Sequence, residues 1–184
     1  MSQTLKERLK KVKLLMIDVD GVLAKPNITW AGSLNGGGLH EIKEFCVHDG
    51  AASWAAKEAG LIRVLVSGRD SSVVRLRAER MKVDAVYLNN LNKLQILDQV
   101  KKKYRLSESE IAYIGDDFLD LPILKKVGFP IAVGDAVSEV KRVARYVTRK
   151  KGGEGAVSEA FRLILTAQGK WEKGYRQAIE KAYG

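Results

Sequence analysis

The sequence predicts an α/β protein: a Rossmann-like parallel sheet with helices on both faces and a projecting β-hairpin. Three observations support this prediction. Short runs rich in Val, Ile and Leu alternate with stretches whose apolar residues recur every three or four positions. The strand-like runs are apolar throughout, as expected of strands that are buried on both faces. One long glycine-containing segment interrupts the alternation early in the chain.

The elements follow in order along the chain. Strands are predicted at 12–18, 60–68, 83–89, 111–116, 129–135 and 145–148. Helices are predicted at 49–60, 70–81 and 92–104, a short polar turn opens at 107–110, and a later helix is expected to end near Gln168. For the helix at 49–60, Asp49 is the predicted N-terminal cap and Gly60 the end.

The segment 24–48 breaks the alternation between the first strand and its helix. It contains Pro26 and the run "NGGG" at 35–38, with two short β-like runs around the glycines. We predict a β-hairpin that projects from the carboxyl edge of the sheet; a floppy surface loop is the alternative. A long excursion at that edge more often covers a functional site.

Composition limits the class of protein. The 184 residues are 46% hydrophobic and 29% charged, which favours one soluble domain over 1–184 with a sizeable core. A single cysteine, Cys46, cannot form an internal disulfide, which suits a cytoplasmic location. No run has the pattern of a signal peptide or a bilayer span, so no membrane partner is expected. The formal net charge of +10 favours an anionic partner. Without a recognisable nucleic-acid-binding motif, a phosphorylated metabolite is preferred over nucleic acid.

Polar side chains gather where predicted strands end. Asp18 and Asp20 close the first strand, and Asp116 and Asp117 close a later one. Three further polar residues fall at or just after strand ends: Ser67, Arg69 and Lys93. In open α/β sheets, ligands bind outside the carboxyl ends of the strands. Acidic groups brought together there require a cation, and an oxygen-only ligand set suits Mg²⁺, while zinc would call for cysteine and histidine.

These residue types predict a phosphomonoesterase. A carboxylate can attack phosphorus and form an aspartyl phosphate, and a metal ion offsets the repulsion between the two anions. A second carboxylate two residues on can protonate the leaving oxygen and later activate water. A lysine and a hydroxyl can hold the transferring oxygens. A signalling receiver domain uses similar groups, but it places its acidic pair before the lone aspartate, the reverse of the order here.

The motifs "DVDGVL", "SGR", an isolated Lys93 and "GDDFLD" occur in the order and spacing of the haloacid dehalogenase-like phosphatases, and the chain resembles that superfamily. Within it, the capless branch that contains 3-deoxy-D-manno-octulosonate 8-phosphate (KDO 8-phosphate) phosphatases is the most similar. Further matches are "EIKEF…HDG" (41–50), "YVTRKKGGEGAVSEA" (146–160) and "LILTAQGK" (163–170). The resemblance implies Mg²⁺-dependent hydrolysis of a sugar acid phosphate in lipopolysaccharide biosynthesis.

The resemblance also implies roles for the phosphoryl-handling residues. Asp18 would be the nucleophile and a metal ligand, and Asp20 the acid/base, with its backbone carbonyl on the metal. Ser67 and Lys93 would hold the phosphoryl group. Two more acids would complete the metal site, Asp116 as a ligand and Asp117 in support.

Substrate contacts are implied for Arg69, Arg77, Asp49 and Gly50, and His48 lies in the same substrate loop. The chain departs from the family pattern at several positions: Ala24, Lys25, Pro26, Cys46, His48 and Trp54. All of these departures could affect sugar recognition, so a nine-carbon sugar acid 9-phosphate (KDN or sialic acid) remains an alternative substrate. A non-catalytic, anion-binding relative is the other alternative.

Assembly is implied by the same resemblance. Family members are typically homotetramers in which the hairpin and the carboxyl-terminal tail lie near a neighbouring subunit's active site. Here the corresponding segments are 24–48 and 167–184. A domain without a cap would then share its sites between subunits; a frayed terminal helix is the alternative reading of the tail.

Overall fold

The computed structural model describes residues 3–33 and 38–184. The strands are β1 (Leu14–Asp18), β2 (Thr29–Ser33), β3 (Gly38–Ile42), β4 (Ile62–Val66), β5 (Ala85–Tyr87), β6 (Ile111–Gly115), β7 (Phe129–Ala132) and β8 (Tyr146–Val147). The helices are α1 (Gln3–Lys11), α2 (Val47–Glu58), α3 (Ser72–Met81), α4 (Lys93–Tyr104), α5 (Leu121–Leu124), α6 (Ser138–Val143), α7 (Ala156–Ala167) and α8 (Trp171–Tyr183). Short 3₁₀ turns occupy Glu108–Glu110 and Phe118–Asp120.

Six strands form one parallel sheet in the order β5-β4-β1-β6-β7-β8. The predicted parallel sheet is therefore confirmed, with strands slightly shorter than the apolar runs suggested. The chain moves from β1 to β4 and β5 on one side, then crosses to β6 on the other. The carboxyl end of β1 thus lies where the direction of the connections reverses, which is where such sheets bind ligands.

Helices pack in two layers around this sheet. Helices α1, α2, α3, α7 and α8 contact one another, while α4, α5 and α6 form a second group. Right-handed crossovers between parallel strands place the two groups on opposite faces. All five residues of β1 and of β6 are buried as a result, which explains their uninterrupted apolar sequences.

The hairpin is present as predicted. β2 and β3 pair in antiparallel fashion from Thr29 opposite Ile42 to Ser33 opposite Gly38, in a sheet of their own. Of the predicted glycine turn at 35–38, residues 35–37 lie outside the described residues. Almost every residue of the two strands is exposed, so the hairpin stands away from the core.

The predicted capping role of Asp49 is wrong. Helix α2 begins at Val47, so Asp49 lies inside its first turn. Its Oδ1 instead accepts the backbone N–H of Ser158 over 2.7 Å, at the start of α7. Sequence spacing favoured a local cap, but tertiary packing uses the carboxylate to satisfy the amino end of a different helix. For α3 and α4 the caps are local, from Ser71 and Asn92.

Three helices were not predicted at all, and a fourth, α8, forms the tail segment, for which a terminal helix was only the alternative. α1 is mostly polar and carries few apolar residues, although Leu9 on it is fully buried. α5 and α6 are too short, with four and six residues, to show a helical period. In the part of the chain that the structure describes, no helix has the length and apolar character needed to cross a bilayer.

Candidate active site

A cavity of about 320 Å³ opens at the carboxyl end of the sheet. Seven of the residues predicted for the site line it: Asp18, Asp20, Ser67, Arg69, Lys93, Asp116 and Asp117. β1, β4 and β6 deliver the acids and the serine from strand ends, and α4 delivers its first residue, the lysine. The topology therefore brings together groups that are far apart in the sequence.

Asp18 is the last residue of β1 and is almost completely buried. Its Oδ1 accepts a hydrogen bond from the Lys93 ammonium over 2.8 Å. Burial raises the pKa of Asp18 to about 7, against the opposing effect of Lys93. A single lysine therefore offsets only part of the cost of holding this carboxylate in the protein interior.

Gly21 allows the two acidic strand ends to approach each other. It adopts a φ of +84°, which favours glycine, and a Cβ there would lie 2.0 Å from Oδ2 of Asp116. Any side chain at this position would displace the acid of β6 from the end of β1. The glycine of the "DVDG" motif thus has a steric role in the site.

Asp120 holds several residues of the site in place through hydrogen bonds, and sequence analysis gave it no role. It is fully buried, and its Oδ1 accepts hydrogen bonds from Lys93 (2.5 Å) and the Tyr113 hydroxyl (2.6 Å). Its Oδ2 accepts the backbone N–H groups of Asp116 (3.0 Å) and Asp117 (3.4 Å). The third acid of "GDDFLD" was visible in the sequence, but nothing there showed that the 3₁₀ turn points it inward.

The acids are arranged for a cation. Oxygens of Asp18, Asp116 and Asp120 lie within 4.8 Å of one another. Burial, followed by the charges of Asp18 and Asp120, raises the pKa of Asp116 to about 8, and its Oδ1 is buried without a hydrogen-bond partner among the described residues. Asp120 already accepts two donors on each oxygen, whereas Asp18 and Asp116 retain free lone pairs. The donor set fits a hard cation such as Mg²⁺, and Asp18 and Asp116 are the two acids that could serve as its carboxylate ligands.

Asp20 lines the same cavity, but its carboxylate has other partners than the acidic cluster. Its Oδ2 accepts a long hydrogen bond, 3.4 Å, from the Ser67 hydroxyl, and its Oδ1 is paired with the Lys43 ammonium. Ser67 Oγ in turn accepts the backbone N–H of Arg69 over 3.1 Å. Asp117 accepts the N–H of Phe118 over 2.6 Å, so it caps the 3₁₀ turn beside the cavity.

The remaining predicted substrate residues lie apart from the cavity-lining set. Asp49 is buried, and burial raises its pKa to about 6 against the Ser158 N–H and the Arg77 charge. Arg77 donates to the Cys46 carbonyl over 2.7 Å, and a Cβ at Gly50 would lie 3.4 Å from its guanidinium.

His48 is exposed and lines a second cavity, of about 410 Å³, beside α2, α7 and α8. The four residues Asp49, Gly50, Arg77 and His48 thus gather around the amino end of α2. Their contact with substrate remains a prediction.

Comparisons with known proteins agree with this geometry. Residues 71–161 match the family model for haloacid dehalogenase-like hydrolases. The chain is 35% identical over 172 residues to the 3-deoxy-D-manno-octulosonate 8-phosphate phosphatase of Escherichia coli, covering 94% of this chain and 89% of the relative.

Two solved structures are similar throughout. The Moraxella catarrhalis 3-deoxy-D-manno-octulosonate 8-phosphate phosphatase, solved with magnesium, phosphate and KDO, is 33% identical with a TM-score of 0.88, over 96% of this chain and 99% of that one. The cobalt-bound Haemophilus influenzae phosphatase is 33% identical with a TM-score of 0.82, over 92% and 99%. The chain therefore belongs to the 3-deoxy-D-manno-octulosonate 8-phosphate phosphatase family of haloacid dehalogenase-like hydrolases.

Proposed function

We propose that this protein is a Mg²⁺-dependent phosphatase that hydrolyses 3-deoxy-D-manno-octulosonate 8-phosphate to KDO and phosphate. The observation that carries the proposal is the buried Asp18 carboxylate, held by Lys93 beside Asp116 at the floor of an open cavity. Family membership and a relative solved with magnesium, phosphate and KDO support the substrate and the metal.

The first half of the reaction uses Asp18 and Asp20. An Asp18 carboxylate oxygen forms a bond to phosphorus while the bond from phosphorus to the sugar oxygen breaks. Asp20 gives its proton to that leaving oxygen, so the sugar departs as an alcohol. Lys93 and Ser67, which both line the cavity, supply donors for the phosphoryl oxygens.

The second half restores the enzyme. Asp20, now ionised, takes a proton from water as the water oxygen bonds to phosphorus. The bond between phosphorus and Asp18 breaks, phosphate leaves, and the carboxylate is regenerated. When bound, Mg²⁺ neutralises charge between the nucleophile and the phosphate and acts as a Lewis acid. Asp18, Asp116 and the Asp20 carbonyl would hold it, with Asp117 in support.

A substrate panel tests this proposal. Released phosphate is measured with Mg²⁺ for KDO 8-phosphate, for the 9-phosphates of KDN and sialic acid, and for p-nitrophenyl phosphate. We expect the highest kcat/KM for KDO 8-phosphate. Preference for a nine-carbon acid would change the substrate while keeping the chemistry, and no turnover of any ester would overturn the assignment as an enzyme.

We also propose that the chain acts as one domain within a homotetramer, with substrate contacts from a neighbouring subunit. Within one chain, α8 packs on α2, with Gly174 against Ala55 and Ala59, and it does not line the cavity. The hairpin exposes 53% of Trp30 and 50% of Leu39. An apolar surface of this kind suits a contact between subunits, and a contact there would cover the open cavity.

A further inference from the structure

Glu41, on β3 of the hairpin, connects the hairpin to the cavity. Its carboxylate is only 12% exposed and accepts three donors. Oε1 accepts Arg69 Nη2 over 2.9 Å and lies 3.2 Å from the Lys43 ammonium, while Oε2 accepts the Ser71 hydroxyl over 2.6 Å. Sequence analysis assigned no role to Glu41, since it reads as one polar residue in an exposed strand.

This carboxylate is kept ionised by its partners. Burial alone would raise the pKa of Glu41, but the hydrogen bonds from Ser71 and Lys43, together with the charges of Lys43 and Arg69, hold it below the usual value. Hydrogen bonds to a charged acceptor are stronger and more directional than those between neutral groups. Glu41 therefore places a negative charge at a fixed position beside Arg69.

Arg69 is the one of these partners that lines the cavity. Its Nη2 is occupied by Glu41, and its backbone N–H by the Ser67 hydroxyl. Its Nη1 is buried and has no hydrogen-bond partner among the described residues. A buried donor without a partner is costly, so an acceptor that a ligand brings to the Arg69 guanidinium would offset a cost that the free protein carries.

Resting on the proposed function, we propose that Glu41 is a positioning residue for substrate specificity. By holding one arm of the Arg69 guanidinium, it directs the other arm at an acceptor oxygen on the non-reacting part of the sugar acid phosphate. A guanidinium tethered at one nitrogen loses less freedom on binding than an untethered one. Glu41 itself does not touch the substrate.

The test compares two substrates in four proteins: wild type, Glu41→Gln, Arg69→Met and the double variant. Glu41→Gln keeps the shape of the side chain and removes the charge that holds Arg69. The measured quantity is kcat/KM for KDO 8-phosphate divided by kcat/KM for p-nitrophenyl phosphate, which has no sugar to recognise. Using this ratio cancels effects on the phosphoryl chemistry that both substrates share.

We expect Glu41→Gln to lower the ratio about tenfold, through KM for the sugar substrate. In the Arg69→Met background, Glu41→Gln should lower it no further, because Glu41 acts through Arg69. Glu44→Gln is the matched control: Glu44 lies just after β3 and is 66% exposed in a surface ion pair with Lys25, so the ratio should not change.

Folding is controlled with a second variant. Glu41→Asp keeps the negative charge but shortens the side chain, which withdraws the carboxylate from Arg69, and it should also lower the ratio. An unchanged or higher ratio in either Glu41 variant, in a wild type that prefers the sugar substrate, would overturn the positioning role. A wild type without that preference would instead count against the proposed substrate, so the two failures are distinguishable.

Discussion

The ammonium of Lys93, the first residue of α4, donates to Oδ1 of Asp18, the last residue of β1, over 2.8 Å. The two residues are 75 positions apart in the sequence, and the reversal of the sheet connections at β1 brings them together. Each would be costly to bury alone. Their pairing holds a carboxylate at the cavity, where the proposed mechanism requires a nucleophile.

Asp18→Asn should abolish phosphatase activity, because an amide is not a nucleophile towards phosphorus and binds Mg²⁺ poorly. Asp20→Asn should reduce kcat/KM for KDO 8-phosphate by about 10²–10⁴-fold, the usual contribution of a general acid. EDTA should silence the wild type and added Mg²⁺ should restore it. Phosphate release, measured over substrate concentrations from well below KM to saturation, gives all three effects.

Asp70→Asn provides the control for these substitutions. Asp70 follows the "SGR" motif closely but is exposed and pairs with Arg75, so its loss should leave turnover unchanged. Normal turnover by Asp18→Asn would rule out the aspartyl-phosphate mechanism.

Asp120→Asn should destabilise the protein by about 3 kcal/mol, since it leaves Lys93 and other buried donors without their charged acceptor. Asp120 accepts donors from Lys93, Tyr113 and two backbone amides, so it supports both the site and the turn after β6. Urea denaturation measures the change. Asp98→Asn, on the exposed face of α4, is the matched substitution and should have almost no effect. Equal stability of the two variants would show that the buried network is dispensable.

The pH dependence of stability should reveal the metal site. The pKa of Asp18 is raised from 3.8 to about 7, and that of Asp116 to about 8. Between about pH 4 and these values the unfolded chain releases protons that the folded, metal-free protein retains. The free energy of unfolding should therefore fall as the pH rises through this range. This loss should be complete above about pH 8.

Mg²⁺ favours the ionised carboxylates and should oppose this loss. The increase in Tm on adding Mg²⁺ should accordingly grow from about pH 5 to pH 8, measured by thermal unfolding with and without the metal. Asp116→Asn removes one of the two titrating acids of the metal site, and both the slope and the Mg²⁺ effect should shrink in that variant. A Mg²⁺ effect that is independent of pH would mean that the metal does not bind at these acids.

Sequence patterns predicted most of the features that depend on neighbouring residues in the chain. Apolar runs predicted all six parallel strands, and the polar residues that follow them predicted the cavity-lining set, including Asp18 and Lys93. The helix at 93–104 and the two predicted helices before it were recognisable because apolar residues recur every three to four positions in amphipathic helices.

Features that depend on packing between distant elements were not predictable in this way. Asp120 points inward because of a 3₁₀ turn, and Asp49 caps α7 from α2, 109 positions away. Glu41 occupies an exposed strand, yet its carboxylate is nearly buried by Arg69 and Lys43. In each case a carboxylate finds its donors through tertiary structure, and no local pattern encodes that partner.

The hairpin should control assembly. Trp30 and Leu39 lie on the same face of the β2–β3 hairpin. Trp30 stands directly opposite Glu41 on the neighbouring strand, and Leu39, two residues before Glu41, points to the same side as Glu41. Both side chains are about half exposed. Large apolar side chains that are exposed together are typical of a contact surface between subunits. We expect light scattering to give four chains for the wild type and fewer for Trp30→Glu, since a charge in an apolar contact is not solvated.

Loss of assembly should also affect the two substrates differently. If a neighbouring subunit supplies contacts to the sugar, Trp30→Glu should raise KM for KDO 8-phosphate about tenfold and change that for p-nitrophenyl phosphate much less. Val147→Glu, on the strand at the far edge of the sheet, replaces an exposed apolar residue in the same way and should leave four chains and both KM values unchanged. A wild-type monomer, or a Trp30→Glu variant that affects both substrates equally, would exclude active sites shared between subunits.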